Sequence, residues 1–205
     1  MKKFFEKFEL LLTRKKEFIH NLENISKILE IGSNEEKIKT LEILDDINDS
    51  DILQKIISKL DDDSIQVRGE AFSALVLNKN KISNLLIQNL NSPSKNIRAF
   101  AALVLANRNE IIAIPEIKRL TKDDHGMVRS CAIGALGHLK DQESKEIFLE
   151  SVLDSNLEVK KSALQAIIDL NIAVSDDVKS KIAEEKDSET EKLLSQLEKS
   201  GPEGI

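Results

Sequence analysis

The sequence predicts an all-α fold, namely a right-handed α-solenoid (superhelix) of stacked antiparallel helix pairs, with about five repeats plus N- and C-terminal capping helices. The main observation is a phrase of apolar, basic and small residues whose copies start 30, 31 and 31 residues apart. Self-similarity at a fixed period of this size is typical of repeat proteins. The four copies are Val67-Arg68-x-x-Ala71-x-x-Ala74-Leu75, Ile97-Arg98-x-x-Ala101-x-x-Val104-Leu105, Val128-Arg129-x-x-Ala132-x-x-Ala135-Leu136 and Val159-Lys160-x-x-Ala163-x-x-Ala166-Ile167.

The composition supports helices with an aliphatic core. Hydrophobic residues make up 40% of the 205 residues, but aromatic residues only 3%, and Trp and Tyr are absent. With only 7 Gly and 3 Pro, the chain favours helix over strand. The apolar residues of the phrase recur with helical period, so each copy should form one face of a helix.

Charge and cysteine content narrow the class of protein. The 30 basic and 36 acidic residues are interspersed and sum to −6, which indicates solvated helix faces and disfavours nucleic-acid binding. A single cysteine, Cys131, fits a reducing compartment, and its place in a repeat helix indicates a small buried residue rather than a reactive thiol. No apolar run approaches the roughly 18 residues of a membrane span. The N-terminus also lacks a signal-peptide pattern, so we expect a cytoplasmic protein.

Three regions are expected along the chain. Residues 1–33 form N-terminal amphipathic or capping helices, 34–185 form the repeat array, and 186–205 form a C-terminal capping helix with a disordered tail. The first helix places Phe4 and Phe8 on one face, which either caps the first repeat or contacts a membrane or a partner. We favour capping because glutamates interrupt the basic face of this helix.

Within the array, the spacing predicts where helices begin and end. A helix capped by Ser33 or Asn34 should run to about Ile47 before a second, shorter helix follows. Each clear repeat then has a helix A, which contains the phrase, and a helix B after a polar break. Ser92 followed by Pro93 matches the N-cap and first position of a helix A.

Small residues in the phrase predict close packing between neighbouring helices. Alanine stands four positions after the start of every copy, and Gly137 stands nine positions after the start of the third. A larger side chain at such a position would overpack, at about 1–3 kcal/mol. Beyond the array, Leu193, Leu194 and Leu197 predict a last amphipathic helix that covers the open end.

The basic position of the phrase has two interpretations. Its regular ladder of cations could bind a phosphate backbone or an acidic tail. However, an Asp or Ser stands five positions before the start of every copy, and contacts between these side chains and the cations of adjacent repeats would place both at one period. We favour this structural interpretation. The turn residues are Asp62, Ser92, Asp123 and Asp154.

The most complete copy, Val128 to Leu139, reads Val-Arg-x-x-Ala-x-x-Ala-Leu-Gly-x-Leu and resembles the HEAT-like repeats of the phycobilin-lyase type. The resemblance covers about residues 34–185. It implies stacked antiparallel helix pairs whose B helices line a concave face. Proteins that share these repeats differ in activity, so the resemblance does not carry a function.

Deoxyhypusine hydroxylases look similar and hold two irons with His-Glu pairs on their repeats. Here no histidine is followed by glutamate, so that motif is absent. We therefore predict no catalytic, cofactor-binding or metal-binding residue, although a bilin-lyase activity stays open. The three histidines and the residues after them are His20-Asn21, His125-Gly126 and His138-Leu139.

The leading hypothesis is a non-catalytic protein-protein interaction scaffold or adaptor, with its partner protein on the concave helix-B face. Alternatives are a lyase- or hydroxylase-like enzyme and a weak nucleic-acid backbone binder using the basic cluster of Lys118, Arg119, Lys122 and Arg129. Aligning the B helices by the repeat turns gives two columns of contact candidates. These are Gln54, Ser58, Asn84, Gln88, Lys118, Arg119, Glu146 and Glu150.

Overall fold

The structure is a computed structural model that describes residues 21–183 and 187–200. The chain divides into two compact units, Met1–Asn80 and Lys81–Ile205. All regular elements in the described residues are helices, which confirms the predicted all-α class. The predicted Phe-rich first helix and the predicted disordered tail fall outside the described residues. No helix in the described part of the chain combines the length and apolarity needed to cross a membrane.

The described part of the first unit contains four helices and a 3-10 turn. Gly32 ends the first helix: its amide donates to the Ile28 carbonyl at 2.9 Å. A Cβ at Gly32 would lie 2.6 Å from the same oxygen, so only glycine fits there. The helices are α1 (21–31), α2 (Asn34–Leu41), α3 (Ser50–Ser58) and α4 (Ile65–Leu77), with the 3-10 turn over Lys59–Asp61 after α3.

Helix α2 begins as predicted but ends early, at Leu41 rather than near Ile47. The chain turns because the carbonyl groups after α2 find partners at the end of α4. The side-chain amide of Asn78 donates to the Ile47 carbonyl at 2.8 Å, and the Lys79 amide donates to Asp45 at 3.3 Å. Acidic residues are also unfavourable at the negative C-terminal end of a helix, so the acidic segment after α2 does not extend it.

The second unit alternates helices of 13 residues with helices of 7. The long helices are α6 (Lys95–Asn107), α8 (Gly126–His138) and α10 (Leu157–Asp169). The short helices are α5 (Ser83–Asn89), α7 (Ile114–Leu120) and α9 (Lys145–Ser151). Turns of 3-10 helix over Ile111–Ala113 and Gln142–Ser144 lead into α7 and α9, and the unit ends with α11 (Asp176–Ala183) and α12 (Ser188–Ser200).

The long helices of the second unit pack directly on one another. Helix α8 contacts both α6 and α10, and α12 also packs on α10. The short helices α5, α7 and α9 pack on α6, α8 and α10 respectively. The buried face is the one that the phrase predicts, since in α8 Val128, Ala132, Ala135 and Leu136 are fully buried. Helix A of the sequence therefore corresponds to the long helices, and helix B to the short ones.

The N-cap of α6 is Ser94, whereas the sequence predicted Ser92. The Ser94 hydroxyl accepts the amide of Ile97, the first phrase residue, at 3.3 Å, and Asn156 caps α10 with the same offset. Ser92 instead accepts the Ser94 amide at 3.2 Å and so stabilises the turn that precedes the helix. Pro93 lies in this turn, before the first helical residue.

Each of the three long helices of the second unit is followed by a residue with positive φ. These residues are Asn109, Lys140 and Asn171, with φ of 55°, 55° and 56°. The amide of the residue after each one donates to the carbonyl five positions earlier, which is the hydrogen bond of a Schellman motif. For example, the Asp141 amide donates to the Leu136 carbonyl at 3.1 Å. Lysine seldom adopts this conformation, so at Lys140 the geometry of the repeat outweighs the local preference.

Gly137 marks a close approach between α8 and α10. A Cβ at Gly137 would lie 2.9 Å from the Cβ of Ala166, closer than two carbon atoms pack. Gly134, on the same helix, would present its Cβ to open space, with nothing within 4 Å. A methyl group at Gly134 therefore changes only the helix propensity, whereas a methyl group at Gly137 also adds a clash with Ala166.

Gly134→Ala should raise the free energy of unfolding by about 0.5–1 kcal/mol, because alanine favours the helix and meets no neighbour. Gly137→Ala should instead lower it, by up to about 2 kcal/mol, because overpacking against Ala166 outweighs the same gain. Denaturation of both variants beside the wild type measures the difference. Equal stabilisation by the two substitutions would contradict the close approach of α8 to α10.

Candidate protein-binding surface

The basic residue of the phrase links consecutive repeats of the second unit. On α6, Arg98 Nη1 donates to the carbonyl groups of Ser92 and Pro93 in its own turn, at 2.8 and 3.1 Å. The same guanidinium pairs with the carboxylate of Asp123 in the next turn, with Nε and Nη2 lying 2.8 and 3.0 Å from its two oxygens. Asp123 also accepts the His125 amide at 2.9 Å, so one ion pair joins two turns.

Arg129 on α8 repeats this arrangement one repeat later. Its Nη1 donates to the Asp123 carbonyl at 2.9 Å, and its Nε and Nη2 each lie 2.8 Å from an oxygen of Asp154. Asp154 accepts the Asn156 amide at 2.8 Å. We call this recurrent set of contacts the arginine clamp. Its two-point, charge-assisted geometry belongs to the stronger kinds of hydrogen bonding in proteins.

The first unit contains a lysine version of the clamp. Lys37 on α2 donates to Asp62 at 2.9 Å, across the same 25 residues that separate the paired Arg and Asp of the second unit. Arg68 donates to the carbonyl groups of Asp62 and Asp63, at 2.7 and 3.1 Å. The predicted contacts between turns and cations of adjacent repeats are thus confirmed at Arg98 and Arg129, where they occupy the guanidinium groups that a bound phosphate would need.

The clamps make the turn carboxyls more acidic. Burial alone would raise the pKa of Asp123, but hydrogen bonds from Arg98 and the His125 amide outweigh it and lower the pKa. At Asp154 the hydrogen bond from Arg129 is the largest cause of a lowered pKa. These carboxylates therefore stabilise the fold above the ordinary carboxyl pKa of about 4, and this contribution is lost as the pH falls through their folded values.

Most of the predicted contact residues are exposed on the short helices. Lys118 on α7 is half-buried. The exposed members are Gln54 and Ser58 on α3 of the first unit, and Asn84, Gln88, Arg119, Glu146 and Glu150 on α5, α7 and α9 of the second. The structure thus brings the candidates of the second unit onto the outer sides of three helices of one repeated type.

Lys118 and Arg119 also make contacts with residues outside their own helix. The Lys118 ammonium lies 2.9 Å from the Asp141 carboxylate. Arg119 Nη2 donates to the Leu90 carbonyl at 3.2 Å and to the Asn91 side chain at 2.7 Å, and so ties α7 to the end of α5. The sequence did not reveal these contacts because the short helices carry no repeated phrase. Both cations belong to the basic cluster considered for nucleic-acid binding, and both are engaged within the chain.

Cys131 lies on α8 and forms no disulfide. Burial raises the pKa of its thiol to about 11, so it carries no nucleophilic thiolate at neutral pH. The side chain is half-buried rather than fully buried as predicted. Within the described residues, no group of three or more His, Cys, Asp and Glu side chains is arranged to hold a metal ion.

Helix α12 continues the register of the repeats. Asp187 accepts the Thr190 amide at 2.9 Å, just as Asn156 accepts the Val159 amide at the start of α10. Thr190 therefore stands at the first phrase position of α12, as Val159 does in α10. Lys161 on α10 binds Glu189 of α12 at 2.6 Å. The hydrogen bond to Glu189 raises the pKa of Lys161, so this cation stays charged at neutral pH.

A groove of about 410 Å³ lies between α10 and α12. At the positions where α10 has Ala163 and Ala166, the register places Leu194 and Leu197 on α12. Leucine does not permit the approach that alanine permits, so α12 cannot pack on α10 as closely as α10 packs on α8. The groove was not predicted from the sequence, although the exchange of small for large residues was its signal.

Repeated pairs of long and short helices, joined by arginine clamps, define an α-solenoid of helix pairs. Residues 83–168 match the family model of HEAT repeats. The match confirms the resemblance of the phrase to HEAT-like repeats. No curated protein matches the chain.

Several solved structures share the fold at low sequence identity. The complex of CpcE and CpcF of phycocyanin lyase from Nostoc sp. PCC7120 is 16% identical, with a TM-score of 0.60 over 73% of this chain and 99% of that one. Computationally designed armadillo repeat proteins for modular peptide recognition are 18% identical, with a TM-score of 0.52 over 87% and 98%. A designed armadillo repeat protein in complex with the peptide (KR)4 is 18% identical, with a TM-score of 0.50 over 91% and 93%.

Asp123→Asn should lower the free energy of unfolding at neutral pH by about 2 kcal/mol, since hydrogen bonds to charged groups contribute about 1.5–3 kcal/mol. Asp124→Asn is the control, because Asp124 is the exposed neighbour, and it should change stability by less than about 0.5 kcal/mol.

From about pH 5 to pH 3, the wild type should lose more stability than Asp123→Asn, because only the wild type protonates this carboxylate. Urea denaturation measures both effects, and equal results for the two variants would refute the clamp.

Proposed function

We propose that this chain is a non-catalytic scaffold that binds another protein through its short helices. The main support is a difference between the two kinds of helix. The phrase residues of the long helices are used in packing and clamps, whereas the short helices present exposed polar side chains. We name these exposed residues the short-helix surface: Asn84, Gln88, Arg119, Glu146 and Glu150.

The charges of the short-helix surface favour a partner with basic groups. Helix α5 contributes the neutral side chains of Asn84 and Gln88, α7 contributes the Arg119 cation, and α9 contributes the carboxylates of Glu146 and Glu150. Charge complementarity mainly sets association rate and specificity. Arg119 is already paired with Glu116 at 3.2 Å, so a matching partner carries basic groups opposite α9.

The structural neighbours support protein or peptide binding as a use of this fold. One is designed for modular peptide recognition and another is in complex with a peptide. Another neighbour belongs to a phycocyanin lyase, so the fold by itself does not separate a scaffold from a lyase subunit. The absence of catalytic residue patterns from the sequence supports the scaffold.

Site-specific photo-crosslinking tests the proposed surface. Benzoylphenylalanine is placed at Gln88 on α5, at Glu150 on α9, and at Asn107, an exposed control on the long helix α6. We expect Gln88 and Glu150 to crosslink the same protein and Asn107 to crosslink none. The double variant Glu146→Lys/Glu150→Lys should weaken that complex at least tenfold, because it places like charges opposite the basic groups of the partner.

Two results would contradict the proposal. Crosslinking at Asn107 but not at Gln88 or Glu150 would move the binding surface to the long helices. Stoichiometric iron in the purified protein would contradict a non-catalytic role. Arg119 is left unchanged in this experiment because its contacts with Leu90 and Asn91 would make a loss of binding ambiguous.

A further inference from the structure

We propose that the guanidinium of Arg68, on α4 of the first unit, binds a carboxylate side chain of the partner protein, an Asp or a Glu. The inference rests on the proposed protein-binding function. It adds a contact residue outside the short-helix surface and names the chemistry of the group that this residue binds.

Arg68 is anchored in the same way as the arginines of the second unit. Its Nη1 donates to the carbonyl groups of Asp62 and Asp63 at 2.7 and 3.1 Å. Arg98 Nη1 donates to two carbonyl groups of its own turn at 2.8 and 3.1 Å, and Arg129 Nη1 does so at 2.9 and 3.3 Å. The anchor therefore fixes each guanidinium and leaves the edge formed by Nε and Nη2 to bind another group.

This edge is occupied at Arg98 and Arg129 but not at Arg68. In both arginine clamps it holds a carboxylate, with each of the two nitrogens at 2.8 to 3.0 Å from a carboxylate oxygen. Within the described residues, no acceptor lies within hydrogen-bond distance of Nε or Nη2 of Arg68. Arg68 therefore has two donors that are unused and already oriented.

The repeat does not encode a carboxylate for Arg68. In the arginine clamps, the aspartate stands 25 residues after its arginine. The residue 25 positions after Arg68 is Pro93, and residues 89–96 contain neither Asp nor Glu. The sequence thus keeps the arginine and the carbonyl groups that anchor it, but not the acidic residue of the pair.

The carboxylate of the turn that anchors Arg68 is engaged by other cations. Asp62 accepts the Lys37 ammonium at 2.9 Å, and the Lys59 ammonium lies 3.8 Å from the same oxygen. Asp62 offers Arg68 only its backbone carbonyl. Because Arg68 is half-buried, its charge has lost part of its hydration without gaining an ion pair, and an added carboxylate would supply that pair.

A carboxylate is the ligand that matches the free edge of Arg68. Its two oxygens lie in one plane and accept from Nε and Nη2 together, which is the bidentate geometry of both arginine clamps. The edge offers no further donor for the additional oxygens of a phosphate. Since the proposed partner is a protein, the carboxylate is that of an Asp or Glu side chain.

An NMR titration of the full chain with the blocked peptide acetyl-Gly-Glu-Gly-amide tests this site. We expect a saturable shift of the Arg68 Nε–H resonance with a Kd below about 50 mM, because the anchored edge has little freedom left to lose. The Nε–H groups of Arg98 and Arg129 are internal controls and should not shift, since their edges already hold carboxylates. The matched peptide acetyl-Gly-Gln-Gly-amide should give no saturable shift.

Arg68→Lys keeps the charge but lacks the two-point edge. It should weaken the Glu peptide at least about fivefold, as followed at the backbone amide of Asp63. An unchanged affinity would overturn the proposal. The comparison of Arg68 with the two control arginines is made in the wild type, so it decides the question even if the variant is less stable.

The site would also be overturned by a Glu peptide that shifts no Arg68 signal, by equal binding of the Glu and Gln peptides, or by tighter binding of inorganic phosphate than of the Glu peptide. Failure of the proposed function is distinguishable from these results. The crosslinking at Gln88 and Glu150 does not involve Arg68, so a crosslinked partner would still support the short-helix surface if the titration failed. Conversely, a saturable shift at Arg68 without any crosslink would contradict only the short-helix surface.

Discussion

The arginine clamp is the contact on which the array most depends. Apolar packing between long helices is not directional, because alanine and valine faces can slide along one another. Arg98 and Arg129 remove this freedom, since each binds the carbonyl groups of its own turn and the carboxylate of the next. The clamp also holds each turn in the shape that starts the next long helix, as the Asp154 carboxylate does through the Asn156 amide.

Side-chain size sets how closely neighbouring long helices pack. Where the phrase is complete, Gly137 packs directly on Ala166 and no space remains. Where Leu194 and Leu197 replace alanine, the same register produces a polar groove.

The sequence predicts the features that recur with the repeat and misses those that depend on single distant contacts. The Arg98–Asp123 pair was predictable because both residue types return at one period. The early end of α2 was not, because it depends on Asn78, 31 residues from its partner. The contacts of Arg119 lie outside the phrase, and the groove follows from how α12 continues the register. The positions of the column residues on short helices were predictable; their role as a binding surface remains a proposal.

The central claim is that the clamp couples adjacent repeats energetically. A double-mutant cycle with Arg129→Gln and Asp154→Asn measures this coupling from the unfolding free energies of four proteins. The account predicts a coupling of about 1–3 kcal/mol at neutral pH, which should fall as acid protonates Asp154. Additivity within about 0.5 kcal/mol would contradict it, because the ion pair would then be only a consequence of packing.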